Sequence, residues 1–256
     1  MTCHLSLVIP HYNEEDRLNL MEEGLVEFVN EIKDLKVEAI LVDDGSHDKT
    51  LSGLKRIGKD FSRRHNVAPE NFNLRIVALK KNSGKGAALQ RGVAEAHGSL
   101  ILTLDADMAT RPIEILNWQK DGYVNLKSEP KNQVFIGSRE HKNSKVTDKS
   151  SRRIMGRVFN RITRILSGLP FHDTQCGFKL YTASLAKEVF SKLFHLGWAH
   201  DVEILMRLQQ EDVEIHSLPI NWTAIDGSKI NPISDAWKMF CALIEIRAAL
   251  KKENAQ

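Results

Sequence analysis

The stretch Leu100-Ile101-Leu102-Thr103-Leu104-Asp105-Ala106-Asp107 carries five apolar or β-branched residues straight into a pair of carboxylates. An apolar run without polar alternation reads as a strand covered on both faces, the habit of parallel sheets. Working outward, similar runs stand at Leu5–Ile9, Glu38–Val42 and Leu74–Ala78, with a weaker fifth at Val134–Gly137, and helical patterns fill the gaps. Strands alternating with helices predict βαβ units. The expected fold is therefore α/β and Rossmann-like: a doubly wound, mostly parallel central sheet with helices on both faces. Past residue 140 come a basic amphipathic stretch, a compact DTQCGFKLY segment, two helical patterns, a strand near Val213–Leu218 and an amphipathic helix from about Ser234.

In such sheets ligands gather at the carboxyl ends of the strands, so the residues after each run decide the chemistry. After the first comes Pro10-His11-Tyr12-Asn13-Glu14-Glu15, a turn that presents a ring on which a base can stack; Asn before Glu is equally good helix-cap chemistry. After the second, Asp43-Asp44-Gly45-Ser46 offers carboxylates to a base N–H or a ribose hydroxyl, or caps the next helix. After the third, Lys80-Lys81-Asn82-Ser83-Gly84-Lys85-Gly86 opens a helix with backbone N–H groups beside lysines, which suits a phosphate. It is not a Walker loop, because Leu79 and Gly86 stand where that loop needs Gly and Ser or Thr. After the fourth, the mutual repulsion of Asp105 and Asp107 is relieved by Mg²⁺ or Mn²⁺ bridging carboxylate and diphosphate oxygens. Each feature alone is common. Four at consecutive strand ends make a nucleotide-diphosphate site.

PHYNEE, VDDGS, NSGKGAA and DAD, in this order, resemble the family-2 glycosyltransferases of the GT-A fold, over most of the chain. The resemblance implies that Pro10, Tyr12, Asn13 and Glu14, with Asp43 or Asp44, hold the nucleoside. It places Lys85 near the donor, and Asp105, Ala106 and Asp107 at ribose, diphosphate and metal, with Asp105 and Asp107 the metal ligands. It implies inversion by one in-line displacement. FIGSRE, Arg152-Arg153, DTQCGFKLY, WAHDVE and NWTAIDGSK narrow it to the polyprenyl-phosphate sugar transferases, closest to the dolichyl-phosphate glucosyltransferases. The implied reaction moves glucose from UDP-glucose, a GDP-sugar being the other donor, onto a polyprenyl phosphate.

A lipid phosphate is anionic at neutral pH, so its placement matters more than deprotonation. Ser138 and Arg139, with Arg152 or Arg153, are expected to bind it, since a guanidinium grips phosphate bidentately. Asp173 and Asp201 are candidates to orient the acceptor or the sugar hydroxyls, to act as base for an alcohol acceptor, or to serve as caps or ion pairs. His11, His172 and His200 lie near motifs and read as packing. The expected organisation is one domain over 1–256, with a nucleotide-sugar half at 1–140 and an acceptor-side half at 141–256. Transfer to a soluble saccharide and a non-catalytic sugar-nucleotide sensor are the rival readings; intact Asp105, Asp107 and the arginine pair argue against the second.

The 256 residues, 42% hydrophobic and 27% charged, suit one large core and exclude disorder. A net charge of +3 is too small to argue for nucleic acid, and no nucleic-acid motif is present. From Arg139 to Arg164, however, nine Lys and Arg stand against Glu140 and Asp148, with apolar Ile154, Val158, Ile162 and Leu166 at helical spacing. That is the chemistry of a membrane surface or an anionic ligand. Cys3, Cys176 and Cys241 show neither disulfide nor zinc spacing, which points to a reducing compartment. No secretory signal pattern is seen, and no apolar run reaches the ~18–20 residues of a spanning helix. The related glucosyltransferases carry an N-terminal membrane helix, whereas this sequence opens on its first strand. The expectation is a cytoplasmic protein docking reversibly at the cytoplasmic face of a membrane, through the basic stretch and a terminal helix with Trp237, Met239, Phe240, Leu243, Ile244 and Ile246. That helix serves equally as core packing or as a contact between copies of the chain.

Overall fold

The computed structural model describes residues 3–32, 34–68, 70–128, 131–148, 163–225 and 232–253. A seven-stranded sheet has the order β3-β2-β1-β4-β7-β5-β8. Its strands are β1 (Leu5–His11), β2 (Val37–Asp43), β3 (Phe72–Ala78), β4 (Leu100–Thr103), β5 (Gln133–Ser138), β7 (Lys179–Thr182) and β8 (Glu214–Pro219). β3, β2, β1 and β4 run parallel to one another, as do β5 and β8, while β7 is antiparallel to both β4 and β5. A second small sheet pairs β6 (Lys145–Thr147) with β9 (Asn221–Thr223). The mostly parallel sheet expected from the sequence is present.

Every residue of β1 and β2 is buried, as parallel strands covered on both faces require. Alternate residues feed two cores. Leu5, Leu7, Ile9, Ala39 and Leu41 pack against α1 (Leu18–Glu31), α2 (Thr50–Arg64) and α4 (Glu114–Lys120) through Met21, Phe28, Leu54, Phe61 and Trp118. Val8, Ile40 and Val42 pack on the other face against α3 (Lys85–Glu95), α5 (Ala183–Ser191), α6 (His200–Gln210) and α7 (Pro232–Glu253). At roughly 25 cal/mol per Å² of apolar area removed from water, burial of this kind is the main favourable term for both layers. The close fit is visible at Gly92 of α3, where an added Cβ would stand 2.4 Å from Val8.

The terminal helix is amphipathic in a divided way. Met239, Leu243, Ile246 and Leu250 are buried in the second core, while Trp237 and Ile244 are exposed. Among the described residues no helix is long and apolar enough to cross a membrane. Arg152, Arg153, Arg157 and Arg161 of the basic stretch lie outside the described residues.

Candidate active site

The turns after β1 and β2 are sewn together by local polar chemistry. Asn13 adopts a left-handed backbone, φ 52°, which Asn tolerates better than most residues. Its N–H donates to Ser46 Oγ at 3.0 Å, and its Oδ1 accepts from the His47 N–H at 2.9 Å. The Glu14 N–H donates to Thr50 Oγ1 at 2.7 Å, and the Glu14 carboxylate pairs with Arg17. Asn13 and Glu14 therefore build the cleft wall. The Tyr12 ring is left on the surface, edge-on to His47 with centroids 6.4 Å apart. Asp43 is buried with Oδ2 accepting from the Ser46 N–H, and its Oδ1 has no hydrogen-bond partner. His11, buried beside it in register, donates from Nδ1 to the Ile9 carbonyl at 3.0 Å; burial pulls its pKa down to about 4.

The glycine loop differs from its expected role. Its backbone N–H groups were expected to cradle a phosphate, yet four of them are already bonded within the protein. Ser83 and Gly84 N–H donate to the two oxygens of Asp44 at 2.8 Å each. Gly86 and Ala87 N–H donate to the Leu196 carbonyl at 2.8 and 3.3 Å. The loop is thus a joint between β2, α3 and the segment before α6, and its contribution to a ligand is the Lys85 side chain. Gly84 is required there: its φ is +101°, and a Cβ would stand 2.4 Å from Leu196 O. The same geometry places Asp44 inside the joint and leaves Asp43 as the carboxylate with an unused oxygen.

β4 delivers Asp105 and Asp107 to the cleft as expected. Ala106 turns its methyl into the core between them. Lys85 Nζ lies 2.6 Å from Asp105 Oδ1 and 3.8 Å from Asp201 Oδ2, with the exposed Trp198 ring 5.7 Å away. Burial alone would lower the Lys85 pKa, but Asp105 and Asp201 outweigh it and hold the ammonium above the ordinary lysine value. Asp107 accepts from the Ala109 N–H at 3.0 Å; burial, then the charge of Asp105, raises its carboxyl. Two hard oxygen donors that repel each other suit a divalent cation. Among the described residues no cluster of three His, Cys, Asp or Glu is present, so most positions on such an ion fall to phosphate oxygens and water. That donor set fits Mg²⁺ or Mn²⁺.

Asp201, at the start of α6, is buried and in contact with the Lys179 ammonium, while His200 Nε2 lies 3.4 Å from it. Burial pushes its carboxyl up, but His200, Lys179 and Lys85 pull it down further, so it stays ionised. Lys179 was not among the expected site residues. A lysine inside a central strand carries no signal beyond its implausibility as a core residue, and that implausibility marks a buried pair. Glu203, fully buried, accepts from the Phe194 and His195 N–H groups at 2.8 and 2.7 Å and from Arg207 Nε at 2.9 Å, fixing the segment that carries Leu196 and Trp198.

At the end of β5, Ser138 is buried and Arg139 meets Asp173 bidentately, Nε to Oδ2 at 2.8 Å and Nη2 to Oδ1 at 2.7 Å. The Arg139 N–H donates to the same Oδ2 at 2.9 Å. Burial raises the Asp173 carboxyl, yet the Arg139 charge and hydrogen bonds hold it below the usual range. Trp222 of β9 lies under the guanidinium at 5.7 Å. A small pocket lined by Asp105, Thr110, Arg139, Gln175, Gly177 and Trp222 joins this clamp to the first carboxylate of the acidic pair. Gly177 lets them meet, since a Cβ there would stand 2.6 Å from the Asp105 carboxylate.

The mostly parallel sheet thus has an acidic pair at one strand end, a cleft beside it and an arginine clamp across from it. Glucosyl-3-phosphoglycerate synthase from Mycobacterium tuberculosis, solved with UDP, superposes with a TM-score of 0.62 at 17% identity over 94% of this chain and 79% of that one. The same enzyme with Mn²⁺, UDP and glucosyl-3-phosphoglycerate gives 0.62 and 17% over 94% and 78%. At that identity the likeness is one of fold. The sequence profile "Glycosyl transferase family 2" matches residues 6–190. Proteins named dolichyl-phosphate β-glucosyltransferase are 37% identical in Dictyostelium discoideum, over 95% of this chain and 74% of the relative, and 34% identical in Homo sapiens, over 96% and 75%. The chain belongs to glycosyl transferase family 2, and within it to the family of the dolichyl-phosphate β-glucosyltransferases.

Proposed function

We propose that this protein transfers glucose from UDP-glucose to a polyprenyl phosphate such as dolichyl phosphate, with inversion at the anomeric carbon. The observation that carries the reading is the Arg139–Asp173 clamp, which shares one pocket with Asp105. Asp173 takes the Nε and Nη2 edge of the guanidinium, so the Nη1 edge is the one that remains to meet an acceptor phosphate. Thr110 Oγ1, on the same pocket, is buried without a hydrogen-bond partner. On the donor side, the unused Asp43 oxygen suits the N–H of a base, and Tyr12 supplies a ring for it. Mg²⁺ or Mn²⁺ held by Asp105 and Asp107 would neutralise charge gathering on the departing diphosphate. Lys85 stands at the same place with a fixed positive charge. Because the acceptor arrives as an anion, the site's task is to align it with the anomeric carbon and exclude water.

A lipid acceptor also implies contact with a bilayer, and we assign a peripheral role at the cytoplasmic face to α7. Trp237 and Ile244 are exposed on it, with Arg247 and Lys251 beside them for anionic headgroups. Single-turnover transfer with UDP-glucose, Mn²⁺ or Mg²⁺ and a short polyprenyl phosphate tests the reaction, run beside GDP-mannose and beside Asp107→Ala. Lipid-linked glucose that needs both metal and Asp107 is the expected result. Tight metal-dependent UDP binding without a lipid product would sink the acceptor assignment.

A further inference from the structure

Four charges of the site form a line that runs from the core, at Lys179, to the cleft, at Asp105. Lys179 is 1% exposed in β7; its ammonium donates to the Cys176 carbonyl at 2.5 Å and to Asp201. Asp201 reaches Lys85 with its other oxygen at 3.8 Å, and Lys85 reaches Asp105 at 2.6 Å. Signs alternate along the line, two cations and two anions. A buried charge is held in place by its partners because losing one leaves the other stranded in low dielectric. Lys179 is also the most deeply buried member, and its ammonium is taken up by the Cys176 carbonyl and Asp201. Its effect on chemistry therefore passes through Asp201.

We propose that Lys179 is a positioning residue for the transfer: by occupying Asp201 it withdraws that carboxylate from acting as a base on the acceptor and makes it the tether that holds the Lys85 ammonium at Asp105. The inference rests on the sugar-transfer reading above. An ionised carboxylate pinned by a buried ammonium is a poor proton acceptor, which agrees with the downward shift at Asp201.

A double-mutant cycle between Lys179→Met and Lys85→Met tests it, read both in kcat for the lipid phosphate and in UDP affinity with Mn²⁺. If Lys179 acts through Lys85, each single variant lowers UDP affinity by ~10-fold and the pair by about the same ~10-fold, because one contact has been removed twice. A merely structural Lys179 lowers the melting temperature and gives independent losses of ~100-fold in the pair, which overturns the proposal. Should Lys179→Met fail to fold, Lys179→Met with Asp201→Asn removes both charges together and enters the cycle in its place. A wild type that binds UDP but glycosylates no lipid phosphate defeats the functional reading, and the positioning role is then decided on the UDP cycle alone.

Discussion

At the scale of single residues, the site is built from charges whose freedom has been removed. Arg139 cannot swing, because Asp173 holds two of its nitrogens and its own backbone N–H. A lysine at that position reaches the carboxylate or the phosphate but does not span both. Arg139→Lys is therefore expected to raise the KM for lipid phosphate by ~10-fold or more, with donor affinity nearly unchanged, in steady-state assays that vary each substrate. His11 supports a second expectation. Its folded pKa, about 4, lies below the 6.5 of an exposed imidazole, so the unfolded chain binds the extra proton first as pH falls. Stability from this group is complete above pH 6.5 and declines toward pH 4, by about 3 kcal/mol at most. Urea unfolding across that window should show the decline in the wild type and a shallower one in His11→Phe, before the ordinary carboxylates titrate.

At the scale of elements, the joint at the start of α3 carries the most consequence. Asp44 from β2 and Leu196 from the segment before α6 hold the same few residues from opposite sides, and Lys85 projects from between them. Gly84→Ala forces both a left-handed backbone and a clash with Leu196 O. It is expected to cost about 2 kcal/mol or more in denaturant unfolding, and to lower kcat further than the stability loss explains, because Lys85 moves with the loop. The motif was plain in the sequence, but its purpose was not. NSGKG looks like a phosphate loop because glycine and N–H groups are what such loops need. Whether those N–H groups are free depends on a carbonyl more than a hundred residues away, which no local pattern reveals.

At the scale of the molecule, the parallel strands were legible because each carries β-branched or apolar residues between helical patterns, nearly unbroken in β1 and β4 and interrupted by Asn73 and Arg75 in β3. β7 was not: it is four residues long, begins with Lys179 and starts inside DTQCGFKLY, which reads as a motif before it reads as a strand. β6 and β9, three residues each, carry no periodic signal at all. The same limit applies to the site, where Asp105, Asp107, Arg139 and Tyr12 followed from local motifs, while Lys179, Glu203 and Trp222 depend on tertiary contacts. The exposed face of α7 supports a prediction for the whole protein. Trp237→Glu with Ile244→Glu should reduce co-sedimentation with anionic vesicles by several-fold, on the order of the apolar area withdrawn, and leave UDP affinity unaltered.

The place of β7 in the sheet also governs how the protein is made. β5 pairs only with β7 and β8 among the described strands, and β4 meets β1 on one side and β7 on the other. A nascent chain on the ribosome that has released β1 to β5 has therefore finished one half of a sheet and left a hydrophobic strand without a neighbour. Only when Lys179–Thr182 emerges can the last strands join. During that interval the growing polypeptide exposes the kind of sticky edge that molecular chaperones shield, so newly synthesised copies are most vulnerable to aggregation just before translation reaches the segment that completes the active site.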